Sequence, residues 1–195
     1  AKKGLKSIYD VTIGGGIARA MAIDEAQAKL TGLGHTSSDT SSIMNSAIEA
    51  VTGTSYALGD AASTAAALSA SGVKSGGQMT DVLKTVADVS YISGKSFQDT
   101  GAIFTSVMAR GKLQGDDMLQ LTMAGVPVLS LLARQTGKTS AEVSQMVSKG
   151  QIDFNTFAAA MKLGMGGAAQ ASGKTFEGAM KNVKSLSLIH ISEPT

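Results

Sequence analysis

The amino-acid sequence predicts an all-α fold, a compact multi-helix domain of short amphipathic helices joined by Gly, Ser and Thr turns. Aromatic residues make up only 4% of the 195 residues and Trp is absent, whereas a β-rich core favours Val, Tyr and Phe. Hydrophobic residues reach 43% and charged residues 16%, which is not the composition of a disordered chain. The 23 glycines follow no collagen-like period, so we expect them in turns.

Helical spacing recurs along the chain. Four windows place apolar residues at or near positions i, i+3, i+4 and i+7, which form one face of a helix. The windows are Ile23, Ala26, Leu30 and Leu33; Ile43, Met44, Ala47, Ile48 and Val51; Met79, Val82, Leu83 and Val86; and Phe154, Phe157, Ala158 and Met161. They predict several short helices that share a core.

A repeated triplet, Gly-Lys-Ser/Thr, predicts the turns between helices. It occurs at residues 94–96, 137–139 and 173–175. A glycine suits the left-handed position just past a helix, and a Ser or Thr two places on can cap the next helix. Thr139 with Glu142 fits a capping box, and Ser96 with Asp99 fits a shorter acidic relative. A phosphate-binding loop would need an earlier glycine that all three triplets lack, so we interpret them as structural.

The segment from Gly111 to Leu132 predicts a helical hairpin. Asp116 and Asp117 would lie in the first turn of the first helix, where carboxylates accept backbone hydrogen bonds and complement the helix dipole. Gly125 would close that helix in the left-handed conformation, and Pro127 suits the first position of the second helix, where its missing N–H is not needed. The second helix would bury an apolar face formed by Val128, Leu131 and Leu132.

The adjacent carboxylates could alternatively form an acid/base pair. Such a pair needs side chains that converge on one spot and environments that separate the two pKa values. Neighbours on a helix diverge by about 100°, so Asp116 and Asp117 are not expected to face each other. We therefore interpret both as capping residues and predict no catalytic residue.

Other chemical sites are weakly supported. His35 is followed by Ser37, Ser38 and Asp39, which are the residue types of a catalytic triad. A serine-rich loop that enters a helix has the same composition, so we interpret this stretch as such a loop. The chain has no cysteine and no carboxylate spacing typical of a calcium loop, so no metal site is predicted. The glycine-rich stretch at 13–18 does not match a dinucleotide fingerprint, and no cofactor is predicted.

Charge and hydropathy argue against two further classes of protein. The formal charge of +2 is too small for the basic surface that nucleic-acid binding requires, so no specific nucleic acid is predicted. The longest run without a charged residue, Met118 to Ala133, is shorter than the ~20 apolar residues of a transmembrane helix. No membrane span is predicted.

The last ten residues, Leu186 to Thr195, differ from the rest because their apolar residues alternate with a period of two. Their sequence, LSLIHISEPT, can be back-translated into the read-through of a transposase sequencing adapter. We therefore predict that residues 186–195 are a sequencing scar on a metagenomic fragment, and we exclude them from the functional argument.

The stretch from Gly111 to Phe157 resembles the tape measure domain of tail tape measure proteins of long-tailed bacteriophages and prophages. That family's pattern is Gly-x-Leu-x-Gly, an acidic pair, Gln-Leu, Gly-Ile/Val-Pro-Ile/Val, a Leu-rich helix, Ser-x-x-Glu and a Lys-Gly turn. The matching residues are Gly111, Leu113, Gly115, Asp116, Asp117, Gln120, Leu121, Gly125, Val126, Pro127, Val128, Leu131, Leu132, Thr139, Glu142, Lys149 and Gly150. Val126 replaces the commoner Ile, and Thr139 takes the capping position.

The resemblance spans residues 16–185 and implies a division of the chain. Residues 1–15 would be a linker from a preceding segment, residues 16–185 a truncated helical tape measure domain, and residues 186–195 the scar. The resemblance also implies a structural role, without enzymatic activity, in setting tail length and assisting genome ejection. The implied partners are the tail-tube protein, tail assembly chaperones, tail-tip or baseplate proteins and other copies of the chain.

The resemblance further implies that the protein lies in the tail lumen of the virion, and in the host cytoplasm during assembly. Two alternatives stay open at this point: a tail-associated cell-wall hydrolase, and an amphipathic protein that acts at membranes. The sequence offers neither a metal cluster for the first nor the strongly cationic helix faces that usually serve the second.

Overall fold

The computed structural model describes residues 21–174, and this part of the chain is all-α, as predicted. The linker predicted at 1–15, the glycine-rich stretch at 13–18 and the scar predicted at 186–195 lie outside the described residues. The helices are α1 (described residues 21–32), α2 (Ser37–Val51), α3 (Leu58–Ser71), α4 (Gly77–Ser93), α5 (Phe97–Arg110), α6 (Gly115–Met123), α7 (Val128–Thr136), α8 (Ser140–Ser148), α9 (Phe154–Met165) and α10 (Ala168–Gly173).

One apolar core runs through the described helices. Helix α3 packs between α2 and α5, helix α4 contacts α2, α9 and α10, and α7 packs against α9. The predicted stripes face this core, and Met79, Val82, Leu83 and Val86 of α4 are all buried. Ile48 of α2 is only half-buried, and Leu33 has 54% of its surface exposed, because α1 ends before Leu33 and the residue lies in the following turn. The helical prediction was wrong for this residue.

Two glycines allow helices to cross at close range. A Cβ atom added to Gly101 of α5 would overlap the Cγ2 methyl of Thr64 on α3 and lie 3.0 Å from its Oγ1 atom. A Cβ atom on Gly164 of α9 would overlap the side chain of Leu131 on α7. The partner residues Thr64 and Leu131 are buried, so the glycines set the distance between the paired helices.

Two of the three predicted turn triplets have the expected geometry. Gly94 and Gly137 are left-handed, with φ of 67° and 68°. Ser96 Oγ accepts the N–H of Asp99 at 3.0 Å. Thr139 Oγ1 accepts the N–H of Glu142 at 3.3 Å, while Glu142 Oε2 accepts the N–H of Thr139 at 2.8 Å.

The third triplet differs from the prediction. Gly173 is the last residue of α10 and does not follow it, and the next residue, Lys174, has a right-handed backbone with φ of −86°. Helix α10 therefore ends one position later than the sequence pattern indicates, and the Lys174 N–H donates to the carbonyl of Ala171 at 3.2 Å. Thr175, the predicted cap of a following helix, lies outside the described residues.

We predict that Gly101→Ala destabilises the fold relative to Gly115→Ala. Both changes remove a flexible glycine from a helix, but nothing lies within 4 Å of a Cβ atom at Gly115. Overpacking against Thr64 should make the free energy of unfolding of the first variant about 1–3 kcal/mol lower than that of the second. Urea unfolding monitored by circular dichroism measures both values, and equal values would contradict the close crossing.

We predict that Thr139→Ala lowers the free energy of unfolding by about 1 kcal/mol, whereas Thr139→Ser leaves it nearly unchanged, because Ser retains the capping oxygen. The backbone N–H and then the hydroxyl of Thr139 lower the pKa of Glu142. The stability contributed by Glu142 is therefore complete above the ordinary glutamate pKa and is lost as the pH falls through the lowered value. Thermal unfolding of the variants from neutral to acidic pH tests this, and Ser and Ala variants of equal stability would refute it.

Candidate functional site

The sequence motif begins in the connection between α5 and α6. This connection is hydrogen-bonded to the connection between α8 and α9, near the end of the motif. Gly111 follows α5 in a left-handed conformation, with φ of 70°. The next residues pair with the connection between α8 and α9, because Lys112 and Asp153 form an isolated antiparallel bridge and the Leu113 N–H donates to Ile152 O at 2.8 Å. Leu113 and Ile152 are fully buried. The two connections therefore share one position in the core.

Asp116 and Asp117 both lie in the first turn of α6, as predicted, but their environments differ. Asp117 has a side chain only 3% exposed, and its Oδ2 accepts the N–H of Gln114, the capping residue, at 3.3 Å. Asp116 has a side chain 58% exposed. Capping by a buried carboxylate thus belongs to Asp117, while Asp116 stands at the surface beside it.

Arg110, in the last turn of α5, joins the two carboxylates. Its Nη1 lies 3.3 Å from Asp116 Oδ1 and 3.3 Å from Asp117 Oδ2. The two side chains were not expected to face each other, and the structure adds a long side chain from another helix that reaches an oxygen of each. This contact of Arg110 was not predicted. An arginine in the last helical turn before an acidic pair could have indicated it.

The two carboxylates have pKa values shifted in opposite directions. Burial raises the pKa of Asp117, and the nearby charge of Asp116 adds to it, against the lowering effects of the Gln114 N–H and Arg110. Desolvation acts to raise the pKa of Asp116, but the hydrogen bonds from Arg110 and from the Asp117 N–H, together with the charge of Arg110, outweigh it, so this pKa is lowered. Two features of an acid/base pair, convergence and separated pKa values, are therefore present.

Only one carboxylate of the pair is accessible from solvent, because Asp117 is buried and Asp116 is exposed. The buried oxygen of Asp117 is held by Gln114 and Arg110, and two surface clefts of the described part lie elsewhere. One, of about 690 Å³, lies between α2 and the start of α4, and the other, of about 390 Å³, is lined by residues such as Met108 and Phe154. The geometry is that of a clamp between the end of α5 and the start of α6.

The corner between α6 and α7 follows the predicted hairpin. Gly125 is left-handed with φ of 84°, its N–H donates to Thr122 O at 3.0 Å, and the Val126 N–H donates to Leu121 O at 3.0 Å. This pair of bonds is a Schellman motif, which satisfies the last carbonyls of α6. The second helix has the predicted buried face, formed by Val128, Leu131 and Leu132.

Pro127 precedes the second helix, whereas it was predicted to be the first residue of that helix. It is the N-cap of α7 and not its first helical residue, because its ψ of 58° is outside the helical range and Val128 begins the helix. Its carbonyl accepts the first helical hydrogen bond, from the Leu131 N–H at 3.0 Å. The missing N–H of proline is still unneeded at this position.

The remaining motif residues divide into those with a packing role and those without one. Gly150 is left-handed with φ of 65°, and a Cβ atom there would lie 2.7 Å from Lys112 Cδ. Gly150 therefore leaves room for the strand-like contact at Lys112. Gly115 and Gln120 are exposed, and nothing in the described residues explains their identity.

The structure also shows the surroundings of His35 and of the serine-rich stretch that follows it. His35 Nε2 lies 2.9 Å from Ser69 Oγ on α3. Thr36 caps α2 by accepting the Asp39 N–H at 3.1 Å, which confirms the interpretation of this stretch as a helix-entry loop. Residues 21–174 contain no cluster of three or more His, Asp or Glu side chains suited to a metal ion. None of the helices in the same range is long and apolar enough to span a bilayer.

Together, the fold and the motif define a helical structural module in which charged side chains fix helix ends. A family model described as tape measure protein matches residues 14–189, nearly the whole chain. The chain belongs to the tape measure protein family, and its role is that of a structural component of phage tails. The match extends slightly beyond both ends of the domain predicted at 16–185, and the scar at 186–195 stays a prediction. No curated protein and no solved structure matches the chain.

We predict that Asp117→Asn is at least as stable as the native sequence at neutral pH. Because the folded state raises the pKa of Asp117, it binds this proton more tightly than the unfolded state does, and stability from this group increases as the pH falls through the raised value. Asparagine resembles the protonated form and still offers an oxygen to the Gln114 N–H. The free energy of unfolding, measured by urea titration at several pH values, should show the largest benefit at neutral pH.

The matched change, Asp117→Ala, removes the acceptor and should lower the free energy of unfolding by about 1 kcal/mol. Comparing Asp117→Ala with Asp117→Asn separates the contribution of the hydrogen bond from that of the charge. If Asp117→Asn were as unstable as Asp117→Ala at neutral pH, the ion pair with Arg110 would outweigh the cost of burial, contrary to the direction of the pKa shift.

Proposed function

We propose that this chain is part of a tape measure protein that sets the length of a phage tail and helps genome ejection. The observation that carries the proposal is the family match over residues 14–189. The described fold agrees with a structural role, because the charged residues of the motif stabilise helix ends and a corner.

Within that role, we assign residues 21–174 to a folded unit of the protein and not to the ruler itself. A ruler must extend along the tail tube, and a helix extends about 1.5 Å per residue. The longest helix of the described part, α4, has 17 residues and would span only about 25 Å. The described helices fold back on one another, so length would be set by other segments of the protein.

The proposed partners are the tail-tube protein, tail assembly chaperones, tail-tip or baseplate proteins and other copies of the protein. We place the protein in the tail lumen of the virion and, during assembly, in the cytoplasm of the host. Membership of a family of tail structural proteins supports these assignments.

The test uses the parent gene recovered with its flanking DNA. We expect one long reading frame next to tail-tube genes, and in-frame deletions or duplications outside the module should shorten or lengthen the tails in proportion. Electron microscopy of the particles measures tail length. A parent gene whose altered length leaves the tails unchanged would contradict the proposal.

A control tests for enzymatic activity in the same protein. The purified 195-residue chain is incubated with bacterial cell-wall material beside its Asp117→Asn variant. We expect neither to clear the material. Clearing by the native chain that is lost in the variant would favour the cell-wall hydrolase instead.

A further inference from the structure

Helix α10 is held to the domain by one buried carboxylate. Asp88 lies on α4 with only 6% of its surface exposed. Its Oδ1 accepts the N–H of Ala169 at 2.8 Å, and its Oδ2 accepts the N–H of Gly167 at 3.0 Å. A residue of another helix thus caps the start of α10, and both of its oxygens are used. Hydrogen bonds to a charged acceptor are roughly twice as strong as neutral ones.

The other anchors of α10 are also polar. The Ser55 N–H donates to Ser172 Oγ at 3.1 Å, and Gln170 Nε2 donates to Thr52 O at 3.3 Å. The only side chains of α10 that are buried are those of Ala169 and Ser172, and both are small. By contrast, the buried residues of α5 include Phe97, Ile103, Phe104 and Val107. The buried side chains of α10 are therefore small, and hydrogen bonds are a main part of its attachment.

The connection to α10 is suited to a hinge. Helix α9 ends at Met165, and two glycines, Gly166 and Gly167, separate it from α10. Gly167 is left-handed with φ of 84°, and a Cβ atom at this position would meet nothing within 4 Å. Once its hydrogen bond to Asp88 is broken, rotation at Gly167 is restricted by neither a side chain of its own nor a close neighbour.

We propose that α10 is a releasable strap, with Asp88 as its latch. In the closed state α10 lies on α4 as described, and in the open state it leaves α4 while α2 to α9 keep their fold. Six residues span about 9 Å as a helix and about 20 Å when extended. Opening therefore lengthens the path to the chain after Lys174 by about 11 Å and changes its direction.

This device goes beyond the proposed function and does not depend on it. Its basis is the contrast between the polar attachment of α10 and the apolar packing of helices such as α5. Segments with few buried apolar contacts open at lower free energy than the core, without global unfolding. The strap combines that condition with a glycine at its start, Gly167.

Hydrogen–deuterium exchange on the 195-residue chain tests the proposal, with Asp88→Ala as the test variant. Asp81→Ala is the matched control, because Asp81 lies on the same helix and loses only a surface pair with Lys162. We expect peptides covering 167–173 to exchange at least about tenfold faster in Asp88→Ala, since two charged hydrogen bonds are lost. Peptides of α3 and α5 should keep their protection, and the control should match the native chain.

Two outcomes would overturn the strap. One is unchanged exchange at 167–173 in Asp88→Ala, and the other is equal acceleration in every helix, which would make α10 an integral part of the core. If Asp88→Ala does not fold, exchange of the native chain in increasing urea decides the question. Opening of α10 at lower urea than α3 and α5 supports the strap, and simultaneous opening refutes it.

Discussion

Satisfying the backbone at helix ends is the constraint on which this structure depends. A helix leaves about four N–H groups and four carbonyls without internal partners, whatever its length. Helices α6, α7 and α8 have nine residues each, so most of their backbone groups belong to an end. Side chains with short polar groups and left-handed glycines supply the missing partners. A low-aromatic composition rich in Ser, Thr, Asp and Gly is what such a fold requires.

Partners close in sequence could be predicted, whereas partners from other helices could not. The pairs Ser96 with Asp99 and Thr139 with Glu142 are three residues apart, so the sequence alone indicates their hydrogen bonds. The same is true of the left-handed Gly125. Asp88, however, caps a helix that begins about 80 residues later, and no local pattern indicates that contact. Arg110 lies between these cases, since it is near the aspartates but acts from another helix.

The sequence also predicted which face of a helix is buried but not which helices pack together. The stripe on α4 was predictable because helical spacing reports which face is buried. Which helices meet depends on the whole chain, so the close approach of Gly101 to Thr64 had no sequence signal. The motif itself is explained only in part. Leu113, Asp117 and Gly125 have clear structural roles, while Gly115 and Gln120 have none within residues 21–174.

The remote cap on α10 also has a consequence for the order in which the chain folds during synthesis. Helices α5 and α8 carry their own caps, so their first turns need no partner from a distant part of the chain. Helix α10 is too short to persist alone, and its first turn needs the carboxylate of Asp88 in place. Helix α10 should therefore form later than the other described helices, after α4 has found its neighbours.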